Sequence, residues 1–258
     1  MGTITVAGTR IEVHRAGSPQ PGRPTILLLH EGLGCAALWR DFPGLVARTA
    51  RTQVVAYSRR GYGASDPRPL PWPVTYMHEE AALLPEVLTA LDLDATVAVG
   101  HSDGASIAII AAGSGRFPGL RGLVLEAPHV FTETHGLAAI RRAKDAYRHG
   151  DLRERLGRYH RHVDVAFFGW HDAWTHPDFV DWNLEGYLAG IDVPVVLVQE
   201  RDDPYGTLAQ LDAIERGLPT AALRVVLPGE GHAPHRTHPE VVAARIAELV
   251  DDVTDHVA

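Results

Sequence analysis

The stretch AVGHSDGASIAII, residues 98–110, decides the fold class of this chain. An apolar, β-branched run leads into the turn-forming residues GHSDG (100–104), and a second apolar run of helix-forming residues follows. A buried strand that turns directly into a buried helix has this pattern, because the strands of a parallel sheet are apolar on both faces. The second run has no polar face, so it predicts a central helix that ends near Gly113.

Short apolar runs of strand length recur along the whole chain. They are PTILLLH (24–30), TQVVAYS (52–58), ATVAVGH (95–101), LRGLVLEA (120–127), VPVVLVQE (193–200) and ALRVVLPG (222–229). Helical patterns accompany them at EEAALLPEVLTALDL (79–93) and PEVVAARIAELVDDV (239–253). This alternation predicts an α/β fold with a mostly parallel central sheet flanked by helices. The stretch ITVAGTRIEVHR (4–15) predicts an antiparallel hairpin at one edge of that sheet.

Residues 130–190 interrupt the alternation of strands and helices. They contain no good strand pattern, and they hold much of the aromatic content of the chain. We predict that they form several short helices, inserted between two strands of the core as a cap or lid. The predicted organisation is therefore a first part of the core (1–129), a helical lid (130–190) and a second part of the core (191–258).

The turn GHSDG places one serine between two glycines, Gly100 and Gly104. A sharp turn from strand to helix holds such a serine in a strained backbone conformation, and only small residues two places away leave room for it. The N-terminus of the following helix stabilises a developing negative charge. The pattern therefore indicates a nucleophilic Ser102, with a glycine-rich turn and a capping serine as the structural alternative.

A serine nucleophile needs a base, and the base needs a carboxylate that orients it. His232 follows the last strand run, at the edge where a parallel sheet collects its site residues, with His235 and His238 as nearby alternatives. Asp202 and Asp203 follow the preceding strand run. The order serine, aspartate, histidine along the chain is typical of one group of serine hydrolases.

Five stretches in this order resemble motifs of the α/β-hydrolase fold superfamily, which includes esterases, lactonases and C–C hydrolases. They are the oxyanion-loop region LLLHEGLGCAALW (27–39), the loop YSRRGYGASDP (57–67), the elbow VGHSDGAS (99–106), the acid strand PVVLVQERDDPYG (194–206) and the histidine loop GEGHAPH (229–235). The first stretch keeps the family's spacing from His30 to Trp39, and the second has Ser58 where the family commonly has aspartate. The resemblance covers nearly the whole chain.

The resemblance implies the roles of the site residues. Aligning Glu200 with the glycine of the family's G-x-x-D motif selects Asp203, so the implied catalytic residues are Ser102, Asp203 and His232. The implied oxyanion hole is formed by two backbone N–H groups, those of Gly32 and Asp103.

The oxyanion loop departs from the family at Glu31, where a glycine is usual. Glu31 either turns outward and fixes the loop, or places a carboxylate beside the site that favours a hydrogen-bond donor or a cation. We expect Leu33 and Glu31 to contact the substrate. From the lid, we expect Phe167, Trp170 and Trp174 to line an apolar pocket for an acyl or ring group.

The bulk composition excludes several classes of protein. A net charge of −8 argues against a nucleic-acid partner, and no apolar run has the length of a membrane span. Cys35 is the single cysteine, so no internal disulfide forms, and the start MGTITVAGTRIEVHR has no signal-peptide pattern. We therefore expect a cytoplasmic protein with a small-molecule substrate. The sequence does not decide between a monomer and a homo-oligomer.

The expected function is that of a serine hydrolase for a carboxylic ester or lactone of a small to medium, partly apolar substrate. No metal or organic cofactor is expected. The stretch HRHVD (160–164) begins like the motif of a metallo-hydrolase, but that motif needs a histidine at the sixth position, where this chain has Val165. Two alternatives stay open, a C–C bond hydrolase of β-diketone-like ring-cleavage products and a non-catalytic ligand-binding protein with the same fold.

Overall fold

A computed structural model describes residues 2–255 and places an eight-stranded sheet at the centre of this part of the chain. The strands lie in the order β1-β2-β4-β3-β5-β6-β7-β8, and only β1 and β2 run antiparallel to their neighbours. Their bounds are β1 Gly2–Val6, β2 Thr9–Ala16, β3 Thr25–Leu29, β4 Val54–Tyr57, β5 Thr96–His101, β6 Leu120–Glu126, β7 Val195–Glu200 and β8 Leu223–Leu227. Each of the six predicted runs contains one of β3 to β8, and β1 and β2 are the predicted hairpin. The predicted fold class is confirmed.

Helices cover both faces of the sheet. Their bounds are α1 Phe42–Ala50, α2 Tyr76–Leu91, α3 Asp103–Gly113, α4 Thr134–His149, α5 Leu152–Gly157, α6 Val163–Trp174, α7 Glu185–Leu188, α8 Ala209–Gly217, α9 Pro234–Thr237 and α10 Pro239–Asp255, with short 3₁₀ turns at Ala36–Trp39 and Pro177–Phe179. Three of these, α2, α3 and α10, are the helices that their patterns predicted, whereas α1 and α8 were not predicted. Within residues 2–255 no helix combines the length and the apolar character that crossing a membrane requires.

The alternation of side chains along each strand divides the core into two layers. On β3, Leu27 and Leu29 pack with α2 and α3, while Ile26 and Leu28 pack with α1 and α10 on the other face. The central helix α3 is buried from residue 103 to residue 112, as its apolar sequence predicts. The interleaved layers hold α3, and with it the serine turn, rigidly against the middle of the sheet.

The segment between β6 and β7 contains α4 to α7 and no strand among its described residues. An isolated bridge between Phe131 and Asn183 joins the beginning and the end of this segment. Residues of α4 and α6 form one wall of a cavity at the carboxyl ends of the strands, whereas α7 packs against α3 and α8.

The turn between β5 and α3 has the strained geometry that its glycines predict. Ser102 has φ of 51° and ψ of −116°, a conformation that non-glycine residues rarely adopt. A Cβ atom on Gly104 would lie 2.0 Å from the carbonyl oxygen of Leu29, and one on Gly100 would lie 2.6 Å from the backbone of Ala105. The two glycines are therefore required because backbone atoms occupy the space of a side chain.

We expect the Gly104→Ala substitution to lower the free energy of unfolding by roughly 3 kcal/mol, because its Cβ overlaps the backbone of a buried strand. Urea unfolding followed by circular dichroism measures the change. Gly186→Ala is the matched control, since no atom lies within 4 Å of the added methyl group. An equal stability of the two variants would contradict the steric explanation of the turn.

Candidate active site

A cavity lies at the carboxyl ends of the parallel strands, beside the helical segment between β6 and β7. Its walls come from the loops that follow β3, β5, β6, β7 and β8 and from the helices α4 and α6. The lining residues are Glu31, Gly32, Leu33, Ser102, Asp103, His129, Phe131, Glu133, Gly136, Leu137, Ile140, Trp170, Trp174, Tyr205 and His232. Open α/β sheets bind ligands at this edge.

His232 and Asp203 form a close pair at the cavity. The Nδ1 atom of His232 lies 2.9 Å from Oδ1 and 2.8 Å from Oδ2 of Asp203, and Oδ1 also accepts a hydrogen bond from the backbone N–H of Tyr205 at 2.8 Å. Because a carboxylate only accepts, Nδ1 of His232 carries a proton. Burial raises the pKa of the Asp203 carboxyl, but the charge and hydrogen bond of His232 outweigh it, so that the pKa is lowered. Nε2 is left as the acceptor.

Ser102 lies on the turn between β5 and α3 and lines the same cavity. Its backbone N–H donates to the carbonyl of Glu126 at 2.9 Å, which ties the turn to the end of β6. The side-chain hydroxyl makes no hydrogen bond with any residue between 2 and 255, His232 included. Hydrogen bonds of catalytic groups are often long in ligand-free structures and tighten with substrate. The structure therefore brings Ser102 and the His232–Asp203 pair to one cavity, with the hydroxyl uncommitted.

The two other histidines of the same loop have partners away from the cavity. Nδ1 of His235 donates to the buried carboxylate of Glu126 at 2.9 Å, and its backbone N–H donates to the same oxygen at 3.0 Å. Nε2 of His238 donates to the carbonyl of Pro228 at 2.9 Å. Neither residue lines the cavity, so His232 is the histidine of this loop that meets Ser102 there.

Glu31 combines the two arrangements that its sequence position left open. Its carboxylate lines the cavity and lies 3.4 Å from Nδ1 of the buried His101, whose Nε2 donates to the backbone carbonyl of His232. Burial lowers the pKa of His101, but the neighbouring Glu31 raises it more, and Glu31 in turn has a lowered pKa despite its burial. The carboxylate thus connects the loop after β3, through His101, to the histidine loop.

The fully buried Arg59 holds the loop after β3 in place. Its guanidinium donates to the carbonyls of His30 and Glu31, the latter at 3.1 Å. Nδ1 of His30 also donates to the Glu31 carbonyl, at 2.7 Å, because its Nε2 accepts from the backbone N–H of Arg59. The carbonyl of Glu31 and the N–H of Gly32 belong to one planar trans peptide and point in opposite directions. Two donors on the carbonyl therefore turn the Gly32 N–H away from Arg59.

The side chain of Asp103 is a feature that the sequence interpretation missed. It accepts hydrogen bonds from the Tyr76 hydroxyl and, at 3.2 Å, from the indole N–H of Trp174, and it lies 3.7 Å from the Arg59 guanidinium. These contacts fasten α2, α6 and the loop after β4 to the residue that follows Ser102. An aspartate directly after the glycine-flanked serine, between two apolar runs, was the available signal, together with the consecutive arginines at 59 and 60.

Most of the predicted pocket residues line the cavity. Leu33, Trp170 and Trp174 do so, and Trp170 packs against Gly32, where a Cβ atom would lie 2.1 Å from its indole nitrogen. Phe167 does not line it. Its ring stacks on Tyr147 of α4 at 3.7 Å between centroids, inside the lid. The lining residues that sequence reasoning did not single out are His129, Phe131, Glu133, Gly136, Leu137, Ile140 and Tyr205.

The residues of HRHVD have structural partners. His160 accepts from the Gly63 N–H at 2.9 Å and donates to the Leu33 carbonyl at 3.0 Å, while Asp164 pairs with Arg153. Between residues 2 and 255, no group of three or more histidine, cysteine or acidic side chains is placed to hold a metal ion.

Comparison with known proteins identifies the family that most of this chain matches. A model of the alpha/beta hydrolase family matches residues 26–245, whereas no curated protein matches the chain. Est816, an N-acyl homoserine lactone degrading enzyme, is 22% identical with a TM-score of 0.72, over 96% of this chain and 99% of its own. A malate-bound esterase from Thermogutta terrifontis is 18% identical, with a TM-score of 0.72 and 98% of each chain covered. A bromoperoxidase from Bacillus anthracis is 14% identical, with a TM-score of 0.73, over 97% of this chain and 99% of its own. At these identities the likeness shows the fold.

Proposed function

Since this chain belongs to the alpha/beta hydrolase family, we propose that it is a serine hydrolase that cleaves a carboxylic ester or lactone through an acyl-enzyme. One observation carries the proposal. A histidine whose Nδ1–H is held by a buried carboxylate lines the same cavity as a serine on a strained turn, and that serine's hydroxyl makes no hydrogen bond within the described residues 2–255. Nucleophile, base and orienting acid are the three parts that acyl transfer by serine requires.

In the proposed reaction, the Ser102 hydroxyl attacks the carbonyl carbon while Nε2 of His232 takes its proton. Asp203 keeps the imidazole in the Nδ1–H tautomer and stabilises its cation. As the tetrahedral intermediate collapses, His232 gives the proton to the leaving oxygen and the acyl-enzyme forms. Water activated by the same histidine then releases the acid and restores the serine.

The developing oxyanion requires donors that are already in place. The backbone N–H groups of Gly32 and Asp103 are the proposed donors, and both residues line the cavity. The hydrogen bonds of Arg59 to the preceding carbonyls orient the peptide of Gly32, and Asp103 lies at the N-terminus of α3, where the helix dipole favours negative charge. Loss of one such donor typically lowers turnover by about 10²–10³-fold.

The charge of the cavity favours this proposal over the C–C hydrolase alternative. Among the described residues that line the cavity, none is lysine or arginine, whereas three are acidic. A ring-cleavage product that carries a carboxylate would meet no cation there. A neutral ester or lactone with an apolar part matches the aromatic and aliphatic walls, and the similarity to Est816 supports including lactones among the substrates to test.

The test combines covalent labelling with turnover. A serine-directed fluorophosphonate should add its phosphonyl group to Ser102 with loss of fluoride, detected by intact mass and peptide mapping. p-Nitrophenyl esters of increasing acyl length and an N-acyl homoserine lactone should be hydrolysed, with the optimum length reporting on the depth of the cavity. Absence of both labelling and hydrolysis would overturn the proposal and favour a ligand-binding protein.

A further inference from the structure

His129 is a buried polar side chain that the proposed reaction does not use. It follows β6, lines the cavity, and is only 6% exposed. Neither ring nitrogen makes a hydrogen bond with any residue that the structure describes. Neither nitrogen is among the unpartnered side-chain atoms that are shut off from solvent, so both open onto the cavity, where a polar group that enters it can reach them.

Packing and backbone hydrogen bonds hold the ring of His129 in place, although neither ring nitrogen has a hydrogen-bond partner among the described residues. Its own carbonyl accepts from the Ser106 hydroxyl at 2.7 Å, and the next residue donates its N–H to Gln210 at 2.8 Å, so the backbone is fixed on both sides. The ring packs edge-to-face on Trp174, at 5.6 Å between centroids. Its Cε1–Nδ1 edge lies against Gly206, where a Cβ atom would be 2.9 Å away. The side chain is therefore preorganised, as a residue that binds a ligand group in the cavity needs to be.

The imidazole of His129 is neutral. Burial, together with the nearby His232, lowers the pKa of His129 to about 3. A neutral imidazole has one N–H donor and one acceptor nitrogen. It has no carboxylate partner, in contrast to His232, so it is unsuited to act as the base and suited to an uncharged polar group.

The position of His129 relative to the reacting centre limits where that polar group lies. Its ring centroid is 5.6 Å from that of His232, the proposed base. Carboxylates face the same space, among them Glu133, whose hydrogen-bond donors Thr207 and Gln210 are uncharged. With no lysine or arginine among the described lining residues, an anionic group next to His129 would be repelled.

We propose that His129 binds an uncharged hydrogen-bonding group of the substrate close to the scissile carbonyl. The substrate class is then a neutral ester or lactone that carries a hydroxyl, keto or amide group within a few bonds of that carbonyl and an apolar remainder. The inference rests on the proposed function for the position of the scissile bond. It goes further by assigning His129 as a specificity-determining residue.

The test compares substrates that differ by one polar group. Phenyl hexanoate is compared with phenyl 2-hydroxyhexanoate and phenyl 3-hydroxyhexanoate, which add a hydroxyl group to the acyl chain. Propyl hexanoate is compared with 2-hydroxyethyl hexanoate, which has a hydroxyl group in the alcohol part. Phenyl hydrogen adipate tests an anionic acyl chain. Each kcat/KM is divided by the rate of hydroxide-catalysed hydrolysis, which removes the intrinsic effect of the hydroxyl group. We expect at least one hydroxylated ester to be preferred by about tenfold, and the adipate to be disfavoured.

Variants of His129 separate recognition from packing. His129→Phe keeps an aromatic ring against Trp174 but no hydrogen-bonding atom, so the preference ratio should fall to about one. His129→Gln keeps a donor and an acceptor and should retain part of the preference. His78→Phe is the matched control, because His78 does not line the cavity, and its ratio should equal that of the wild type. A purely structural role of His129 would lower stability without changing the ratio.

Binding provides a readout that is independent of turnover. Isothermal titration of the same esters into the Ser102→Ala variant, with and without His129→Phe, should show the same preference in Kd. If the wild type hydrolyses none of the esters but this preference is present, the proposed function fails and the role of His129 stands. If hydrolysis occurs and the ratio is the same with histidine or phenylalanine, or if no hydroxylated ester binds better, the inference is overturned and His129 faces ordered water only.

Discussion

The Ser102→Ala variant is expected to fold like the wild type and to hydrolyse esters about 10⁵–10⁶-fold more slowly. The magnitude follows from losing the nucleophile, after which the remaining groups cannot form an acyl-enzyme. The fold is expected to persist because the Ser102 hydroxyl makes no hydrogen bond in the described structure, and alanine keeps the strained backbone conformation at the same cost. Steady-state kinetics and thermal unfolding measure the two quantities.

Ser114→Ala is the matched control for this prediction. Ser114 lies at the other end of α3, where its hydroxyl donates to the carbonyl of Ile110 at 2.6 Å, away from the cavity. Its replacement should leave kcat/KM unchanged. Retention of activity by folded, pure Ser102→Ala protein would contradict the assignment of the nucleophile, and with it the acyl-enzyme.

The second large effect is expected for Asp203→Asn, which should lower kcat by about 10⁴-fold. An asparagine amide donates to Nδ1 of His232, so the imidazole then carries its proton on Nε2 and cannot accept one from Ser102. The loss should therefore appear at every pH at which the histidine is neutral. A pH–rate profile of the variant measures it, with circular dichroism as the check on folding.

Asp202→Asn is the control for this second prediction. The two aspartates are adjacent, but Asp202 is exposed and Asp203 is 6% exposed with both carboxylate oxygens at His232. The Asp202 variant should keep wild-type activity. An equal loss in both variants would mean that the negative charge of the loop, and not the contact with Nδ1, supports the reaction.

Local sequence was enough to predict the strands, the serine turn and the order of the candidate site residues. Runs such as TILLL on β3 are apolar at every position, and this is a property of neighbouring residues alone. The turn at Ser102 likewise depends on two glycines two positions away. The placement of His232 at the cavity follows because the carboxyl ends of β5, β7 and β8 meet at one edge of the sheet.

The helix α6 contains aromatic residues whose surroundings local sequence does not predict. Phe167, Trp170 and Trp174 lie on one helix, α6, at spacings that put them on similar sides of it. About 10 Å of rise separates Phe167 from Trp174, and the cavity ends between them. Phe167 instead stacks on Tyr147, a residue that only the docking of α4 brings near. No periodicity within α6 contains that information.

The sequence by itself determined the strands, the helices α2, α3 and α10 and the steric requirements of the serine turn, because these depend on residues a few positions apart. Tertiary structure alone decided what surrounds the candidate site. Arg59 lies beside Asp103, which is 44 positions away in the sequence, and Glu31 lies beside His101, which is 70 positions away. His129 lines the cavity because loops that are distant in the sequence fold around it. Such contacts depend on how helices and loops pack onto the sheet, and packing is a property of the whole chain.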